Sequence, residues 1–107
     1  MKRICKTIGL PPERLEQYRM LHANVWPEVE ADLKAHGIEN YSIFYLDGKL
    51  IAYMECSEPG DNAAGAALAQ DREKLTQWQQ ICSALQEAAP GLPAGTWVSA
   101  EEVYHLD

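Results

Sequence analysis

The stretch IENYSIFYLDGKLIAYMEC, residues 38–56, carries the clearest local signal for the fold of this chain. It contains two segments rich in β-branched and aromatic residues, Ile38–Leu46 and Lys49–Cys56, joined by the pair Asp47 and Gly48. An Asp-Gly pair between two such segments favours a two-residue type I′ turn, in which both central residues take positive φ. The sequence therefore predicts a β-hairpin over this stretch.

The turn sets which residues of the hairpin face each other. If Leu46 pairs with Lys49, Tyr41 lies opposite Met54, because each step along one strand matches one step along the other. One face would then carry Tyr41, Ile43, Tyr45, Leu50, Ala52 and Met54. The other face would carry Phe44, Leu46, Ile51 and Tyr53. A domain of this size has about two helices, enough to cover one face, so we expect a partner subunit on the second face.

A helix is predicted before the hairpin, because apolar residues recur there at spacings of three or four, on one helical face. These residues are Leu15, Tyr18, His22, Val25, Val29 and Leu33. Pro27 has no N–H to donate to the carbonyl of Ala23, so we expect the helix to kink or restart just after His22. Gly37 can adopt the left-handed conformation that ends a helix.

The rest of the chain supplies two strands and a second main helix. Residues 2–8 predict a first strand, closed by a glycine and two prolines. After a turn over residues 57–60, the Ala-rich stretch 61–70 and the segment 72–89 are predicted to be helical. Residues 97–106 predict a fourth strand. The resulting βαββαβ order indicates a ferredoxin-like α+β fold with its helices on one face of the sheet.

Length, charge and cysteine content narrow the class of function. The 107 residues, 47% of them hydrophobic, fit a single domain over residues 1–107. The formal net charge of -7 argues against a nucleic-acid binder, whose Lys and Arg cluster toward the phosphates. The three cysteines have no CxxC spacing, and no apolar stretch has the length of a signal-peptide core or a membrane span. We therefore expect a cytoplasmic protein with reduced thiols and no membrane anchor.

His22 is the best candidate for acid–base chemistry, because an imidazole with a pKa near ~6.5 can both give and take a proton at neutral pH. Tyr18, one turn earlier on the same face, could hydrogen-bond a ligand or orient the ring. Tyr41 and Trp78 would add aromatic faces on which the C–H groups of a sugar stack. The alternative for all four residues is packing in the core, which is the commoner role of such side chains.

Other catalytic patterns are absent from the sequence. His22, His36 and His105 have no HxxxH or HxH spacing, there is no GxSxG motif, and the glycines form no phosphate-binding loop. We therefore expect neither a metal site nor a nucleophilic serine. The acidic run at residues 28–32 is typical of a solvated helix face, although one of its carboxylates could still reach a pocket.

Two runs of the sequence resemble the L-rhamnose mutarotase family, whose relatives include enzymes that act on L-fucose. They are YRMLHANVWPEV, residues 18–29, and LKAHGIENYSIF, residues 33–44. The resemblance is carried by the tyrosine, the histidine, Trp-Pro-Glu, His-Gly and Asn-Tyr in fixed order. It extends from the first strand to residues 102–106 and is weaker between residues 57 and 95.

The resemblance implies a dimeric α/β barrel in which His22 is the proton donor and Tyr18 and Tyr41 bind the sugar. In the family, a pair of adjacent tryptophans on the second helix also contacts the sugar. These tryptophans match Gln77 and Trp78 here, so one of the two is replaced. The hairpin is also shorter than is usual for the family. Both departures leave the identity of the sugar open.

The expected function is that of a mutarotase, an isomerase that interconverts the α and β anomers of a deoxyhexose such as L-rhamnose or L-fucose, with no cofactor. His22 as imidazolium would protonate the ring oxygen while water or a carboxylate removes the anomeric hydroxyl proton, which opens the ring to the aldehyde. One alternative, from fold analogy, is a cofactor-independent monooxygenase or haem-handling member of the wider dimeric α/β barrel group. The other is a non-catalytic sugar-binding protein.

Overall fold

The computed structural model describes residues 2–57 and 61–107, without the side chains of residues 61–71. The turn expected over residues 57–60 lies outside the described residues beyond Ser57, and so do the side chains of the Ala-rich stretch. The elements are β1 (Lys2–Gly9), a 3₁₀ turn (Pro12–Arg14), α1 (Leu15–Ala23), α2 (Pro27–Ala35), β2 (Ile38–Leu46), β3 (Lys49–Cys56), α3 (Asp61–Leu85) and β4 (Val98–Ser99).

The strands form one four-stranded antiparallel sheet in the order β2-β3-β1-β4. With α1 and α2 counted as one interrupted helix, the chain order is βαββαβ, which in this strand order is the ferredoxin-like α+β arrangement. The predicted fold is therefore confirmed. The core cluster joins the sheet to the helices and consists of Ile8, Leu10, Tyr18, Leu50 and Leu85. On the opposite face of the sheet, Phe44 is 58% exposed and Leu46 67% exposed.

The hairpin turn is the predicted type I′ turn, since Asp47 has φ 50° and Gly48 has φ 80°. Leu46 pairs with Lys49, also as predicted. The predicted one-to-one pairing of Tyr41 with Met54 is wrong. The register shifts between Glu39, which pairs with Glu55, and Ser42, which pairs with Tyr53, so two residues of β2 oppose one residue of β3.

This irregularity is a β-bulge formed by Asn40 and Tyr41 opposite Met54. Its cause is local: Asn40 has φ 50°, in the left-handed region that asparagine tolerates better than most residues. The bulge leaves Tyr41 on the same side of the sheet as Ile43, facing the helices.

The predicted restart of the first helix is confirmed. α1 ends at Ala23, Trp26 is extended at φ -60° and ψ 136°, and Pro27 is the first residue of α2. Proline suits this position because the N–H that it lacks has no partner in the first turn of a helix. Gly37 closes α2 at φ 75°, where the glycine N–H donates to Lys34 O at 3.0 Å.

α3 ends at Leu85, so the predicted continuation of this helix to residue 89 is wrong. The chain leaves the helix because Gly9 and Glu87 exchange backbone hydrogen bonds of 3.1 and 2.7 Å, which a helical Glu87 could not make. The Arg14 guanidinium donates to the carbonyl of Leu85, an acceptor left free where the helix stops. Within the described residues, no helix combines the length and the apolar composition needed to cross a membrane.

β4 is much shorter than the predicted strand over residues 97–106. It pairs with β1 only at Lys6 and Thr7, and one more backbone bond runs from Ala100 N to Cys5 O at 2.7 Å. Beyond that point a side-chain contact replaces the ladder, because the Arg3 guanidinium binds the Glu102 carboxylate at 2.8 and 3.0 Å. The following apolar side chains are exposed: Val103, Tyr104 and Leu106.

Candidate active site

A cleft of about 770 Å³ lies between the helices and the covered face of the sheet. Its polar and aromatic lining comes from every main element around it: α1, α2, β2 and α3. These residues include Tyr18, His22, Asp32, Tyr41, Trp78 and Gln79. A concave site of this size, mostly apolar with a few polar groups, is typical of small-molecule binding.

His22 lies in the last turn of α1 and lines the cleft. Its Nδ1 atom is 3.0 Å from the carbonyl oxygen of Tyr18, one turn earlier. Because a carbonyl only accepts, Nδ1 carries a proton in this contact, and Nε2 is the ring nitrogen left to exchange a proton with a ligand. Burial lowers the pKa of His22 below its ordinary value of 6.5, and the bond to Tyr18 opposes that effect.

Aromatic rings surround the His22 ring. The Tyr18 ring stacks on it with centroids 4.3 Å apart, and the Trp78 ring meets it edge-on at 5.3 Å. Trp26 in turn contacts Trp78 at 5.2 Å, and the Lys74 ammonium lies 5.5 Å from the Trp26 ring centre. The imidazole is therefore held on one side by a hydrogen bond and on others by ring contacts, which fixes its orientation in the cleft.

Tyr18 is only 5% exposed, and its hydroxyl oxygen accepts a hydrogen bond from the side-chain amide of Gln86 at 3.3 Å. Burial raises the pKa of Tyr18 well above its ordinary value, so the phenol stays protonated and can donate. Burial also raises the pKa of Tyr41, on the facing strand β2. Both hydroxyls are therefore neutral hydrogen-bonding groups at physiological pH.

The cleft brings together four of the side chains singled out in the sequence: Tyr18, His22, Tyr41 and Trp78. Gln77 is exposed on α3 and is not among the lining residues, whereas Gln79, two positions later, is. Sequence reasoning did not single out Trp26 or Gln86 for the site. Trp26 was visible within the Trp-Pro-Glu run, but Gln86 carries no local signal, because its partner lies 68 residues away.

Two acidic residues of the run 28–32, Glu30 and Asp32, line the cleft. The Oδ1 atom of Asp32 is buried without a hydrogen-bond partner among the described residues. The His36 ring lies beside that oxygen, with Nδ1 at 3.3 Å, and the same nitrogen donates to the Asp32 carbonyl at 2.9 Å. Across the described residues, no group of three His, Cys, Asp or Glu side chains could hold a metal ion.

Comparison with known proteins gives a consistent result over almost the whole chain. The family model described as L-rhamnose mutarotase matches residues 3–106. The chain is 33% identical to the L-rhamnose mutarotase of Listeria monocytogenes, with 99% of each chain covered. It is 32% identical to the L-fucose mutarotase of Xanthomonas campestris, with 99% of this chain and 89% of that protein covered.

A solved structure supports the fold. The crystal structure of an L-rhamnose mutarotase from Formosa agariphila matches with a TM-score of 0.76 and 23% sequence identity, covering all of both chains. The architecture is therefore shared with that protein. The family match over residues 3–106, together with relatives above 30% identity along the full chain, shows that this chain belongs to the L-rhamnose mutarotase family.

Proposed function

We propose that this chain is a mutarotase that interconverts the α and β anomers of a deoxyhexose such as L-rhamnose or L-fucose. The observation that carries the proposal is the setting of His22, whose Nδ1 is fixed on the Tyr18 carbonyl while its ring stacks on Tyr18 inside a cleft. The names of the relatives, L-rhamnose mutarotase and L-fucose mutarotase, support this substrate class. The enzyme is accordingly an isomerase.

Anomer exchange needs a proton delivered at one oxygen and removed at another. In the proposed reaction, the protonated His22 ring donates from Nε2 to the ring oxygen of the sugar, while water or a carboxylate takes the proton of the anomeric hydroxyl. The bond between C1 and the ring oxygen breaks, and the open aldehyde forms. Rotation about C1–C2 and closure by the reverse proton transfers give the other anomer. Positioning and proton transfer are sufficient chemistry for this reaction.

The remaining site residues bind the sugar in this proposal. Tyr18 and Tyr41 offer hydroxyls from opposite sides of the cleft, on α1 and β2. Trp78 offers a ring on which the C–H groups of a sugar can stack. Gln77 stands where the family has a tryptophan and remains a candidate contact, with an exposed side chain from which to reach a bound sugar.

The assembly and location of the protein are further parts of the proposal, supported by an exposed sheet face and by the cysteines. We propose that residues 1–107 form one domain that pairs as a homodimer through the uncovered sheet face, where Phe44 and Leu46 are exposed. The three cysteines are free thiols, which suits the reducing cytoplasm. Static light scattering should give twice the 12.0 kDa chain mass; the mass of a single chain would contradict the homodimer.

The function is tested on the unmodified protein with a panel of free sugars. Saturation-difference NMR measures the exchange between anomers of L-rhamnose, L-fucose and, as a sugar with a hydroxyl at C6, D-galactose. We expect exchange above the spontaneous rate for at least one deoxyhexose. Sugar binding with no acceleration for any of the three would contradict the proposed enzyme and favour a sugar-binding protein.

A further inference from the structure

The hydroxyl of Tyr18 has one hydrogen-bond partner among the described residues, the side-chain amide nitrogen of Gln86, and an amide nitrogen only donates. Gln86 Nε2 donates to the phenol oxygen at 3.3 Å. A phenol has a single hydrogen to give and lone pairs to accept with. When the amide fills an acceptor position, the O–H hydrogen stays available, and Tyr18 lines the cleft where a ligand would receive it.

The backbone around Gln86 is held on both sides. Gln86 N donates to Cys82 O at 3.2 Å, and the preceding carbonyl, of Leu85, accepts from Arg14 at 3.1 Å. The following residue, Glu87, is tied to Gly9 by two backbone hydrogen bonds. The Gln86 side chain therefore starts from a fixed backbone point, and its amide contacts the Tyr18 hydroxyl, as expected of a group that orients a site residue.

The geometry points to Gln86 as a positioning residue: it directs the Tyr18 O–H into the cleft, so that the phenol meets the sugar as a hydrogen-bond donor. This inference rests on the proposed function and specifies how Tyr18 hydrogen-bonds to the sugar. A sugar hydroxyl can rotate to serve as donor or acceptor, whereas the ring oxygen carries no hydrogen and only accepts. A phenol with a fixed donor hydrogen therefore suits the lone pair of the ring oxygen that is not protonated by His22, or a sugar hydroxyl turned to accept.

Two variants test the inference. One removes the amide donor of Gln86, and the other replaces it with an acceptor. Gln86→Leu deletes it, and we expect the KM for L-rhamnose to rise about 2- to 10-fold with a smaller change in kcat, the size of one lost orienting hydrogen bond. Gln86→Glu presents a carboxylate that can only accept, so it draws the Tyr18 hydrogen away from the cleft, and we expect a larger rise in KM. Gln17→Glu adds the same charge at an exposed position of α1 and should leave KM unchanged.

The pH dependence of KM gives a second measurement on the Gln86→Glu variant. A neutral glutamic acid can donate to the phenol oxygen again, so the KM of Gln86→Glu, relative to the unmodified protein, should fall as the pH is lowered through the titration of residue 86. The Gln86→Leu ratio should stay constant over that range. A merely structural role for Gln86 would change the melting temperature without this pH-dependent recovery.

A Tyr18→Phe background shows whether residue 86 acts through the Tyr18 hydroxyl, because this variant has no hydroxyl to orient. Adding Gln86→Glu to Tyr18→Phe should then change KM by less than about twofold. The inference is overturned if the full effect persists in that background, or if Gln86→Glu behaves like Gln17→Glu. If the unmodified protein exchanges L-fucose and not L-rhamnose, the same comparisons are made with L-fucose. If it binds one of these sugars without exchanging the anomers of either, the proposed function fails alone, and the comparisons are read from the Kd. An unmodified protein that neither binds nor exchanges either sugar overturns both.

Discussion

His22 at the end of α1 and His36 at the end of α2 make the same local hydrogen bond. Each ring directs Nδ1 at the carbonyl oxygen four residues earlier, at 3.0 Å for Tyr18 and 2.9 Å for Asp32. Their surroundings differ. His22 lies among aromatic rings and lines the cleft, whereas His36 lies beside the Asp32 carboxylate and is not among the lining residues.

A helix end therefore orients an imidazole but does not by itself give it a catalytic role. In both cases the bond to the preceding turn fixes which nitrogen remains free. Only at His22 does that nitrogen belong to a ring that borders a space large enough for a sugar. Four measurements test this difference between the two histidines.

The largest effect is expected from replacing the cleft histidine. His22→Ala should reduce the rate of anomer exchange at least about 100-fold, the usual contribution of a positioned acid–base group. Saturation-difference NMR gives the rate, and circular dichroism shows whether the variant is folded. A folded His22→Ala protein that exchanges anomers at the original rate would remove His22 from the mechanism.

The protonation state of His22 should govern the pH dependence of kcat/KM. The donor form is the imidazolium, and burial holds the pKa of His22 below 6.5. As the pH rises through that pKa, the imidazolium fraction falls, so kcat/KM should decline about tenfold per pH unit above it and level off below it. The spontaneous rate is subtracted at each pH. A profile that instead falls on the acid side would mean that the neutral ring is the reactive form.

Removing an aromatic neighbour of His22 should have an intermediate effect. Trp78→Leu takes away the edge contact to the imidazole and the proposed stacking surface for the sugar, and we expect KM to rise about 5- to 10-fold. Trp97 packs against the core but does not line the cleft, so Trp97→Leu serves as the matched control. Equal KM changes in both variants would show that the loss of a tryptophan acts through packing alone.

The smallest effect on activity is expected at the second histidine. His36→Ala should keep the anomer-exchange rate within about twofold and lower the free energy of unfolding by about 1 kcal/mol, through the lost bond to the Asp32 carbonyl. Urea denaturation measures the stability, with His105→Ala, in the exposed C-terminal segment, as a control. An activity loss as large as that of His22→Ala would contradict the conclusion that only His22 takes part in the reaction.

Features decided by neighbouring residues could be predicted from the sequence. The Asp47-Gly48 turn, the break before Pro27 and the glycine that closes α2 each depend on the backbone preferences of one or two residues. The pairing of Tyr18 with His22 on one helix face follows from their spacing of four. These local rules located the catalytic candidate and the strand that faces it.

Features that depend on contacts between residues distant in the sequence could not be predicted from it. α3 stops at Leu85 because Gly9, far away in the sequence, bonds to Glu87. β4 is short, and beyond Ala100 its contact with β1 is the ion pair between Arg3 and Glu102, where a backbone ladder was expected. The bulge in β2 is an intermediate case: asparagine permits positive φ, but sequence alone does not say that Asn40 uses it.

The bulge divides β2 into two segments. In each segment, the face of the sheet that a given side chain occupies is set independently of the other segment. Ile38 lies opposite Cys56, and Ser42 opposite Tyr53, on either side of the extra residue. A β-branched residue at position 40 would resist positive φ and favour unbroken pairing, which shifts one segment by a single residue relative to the other. Either Ile38 or Tyr41 would then turn away from the helices, so the asparagine at position 40 allows both side chains to face the helices at once.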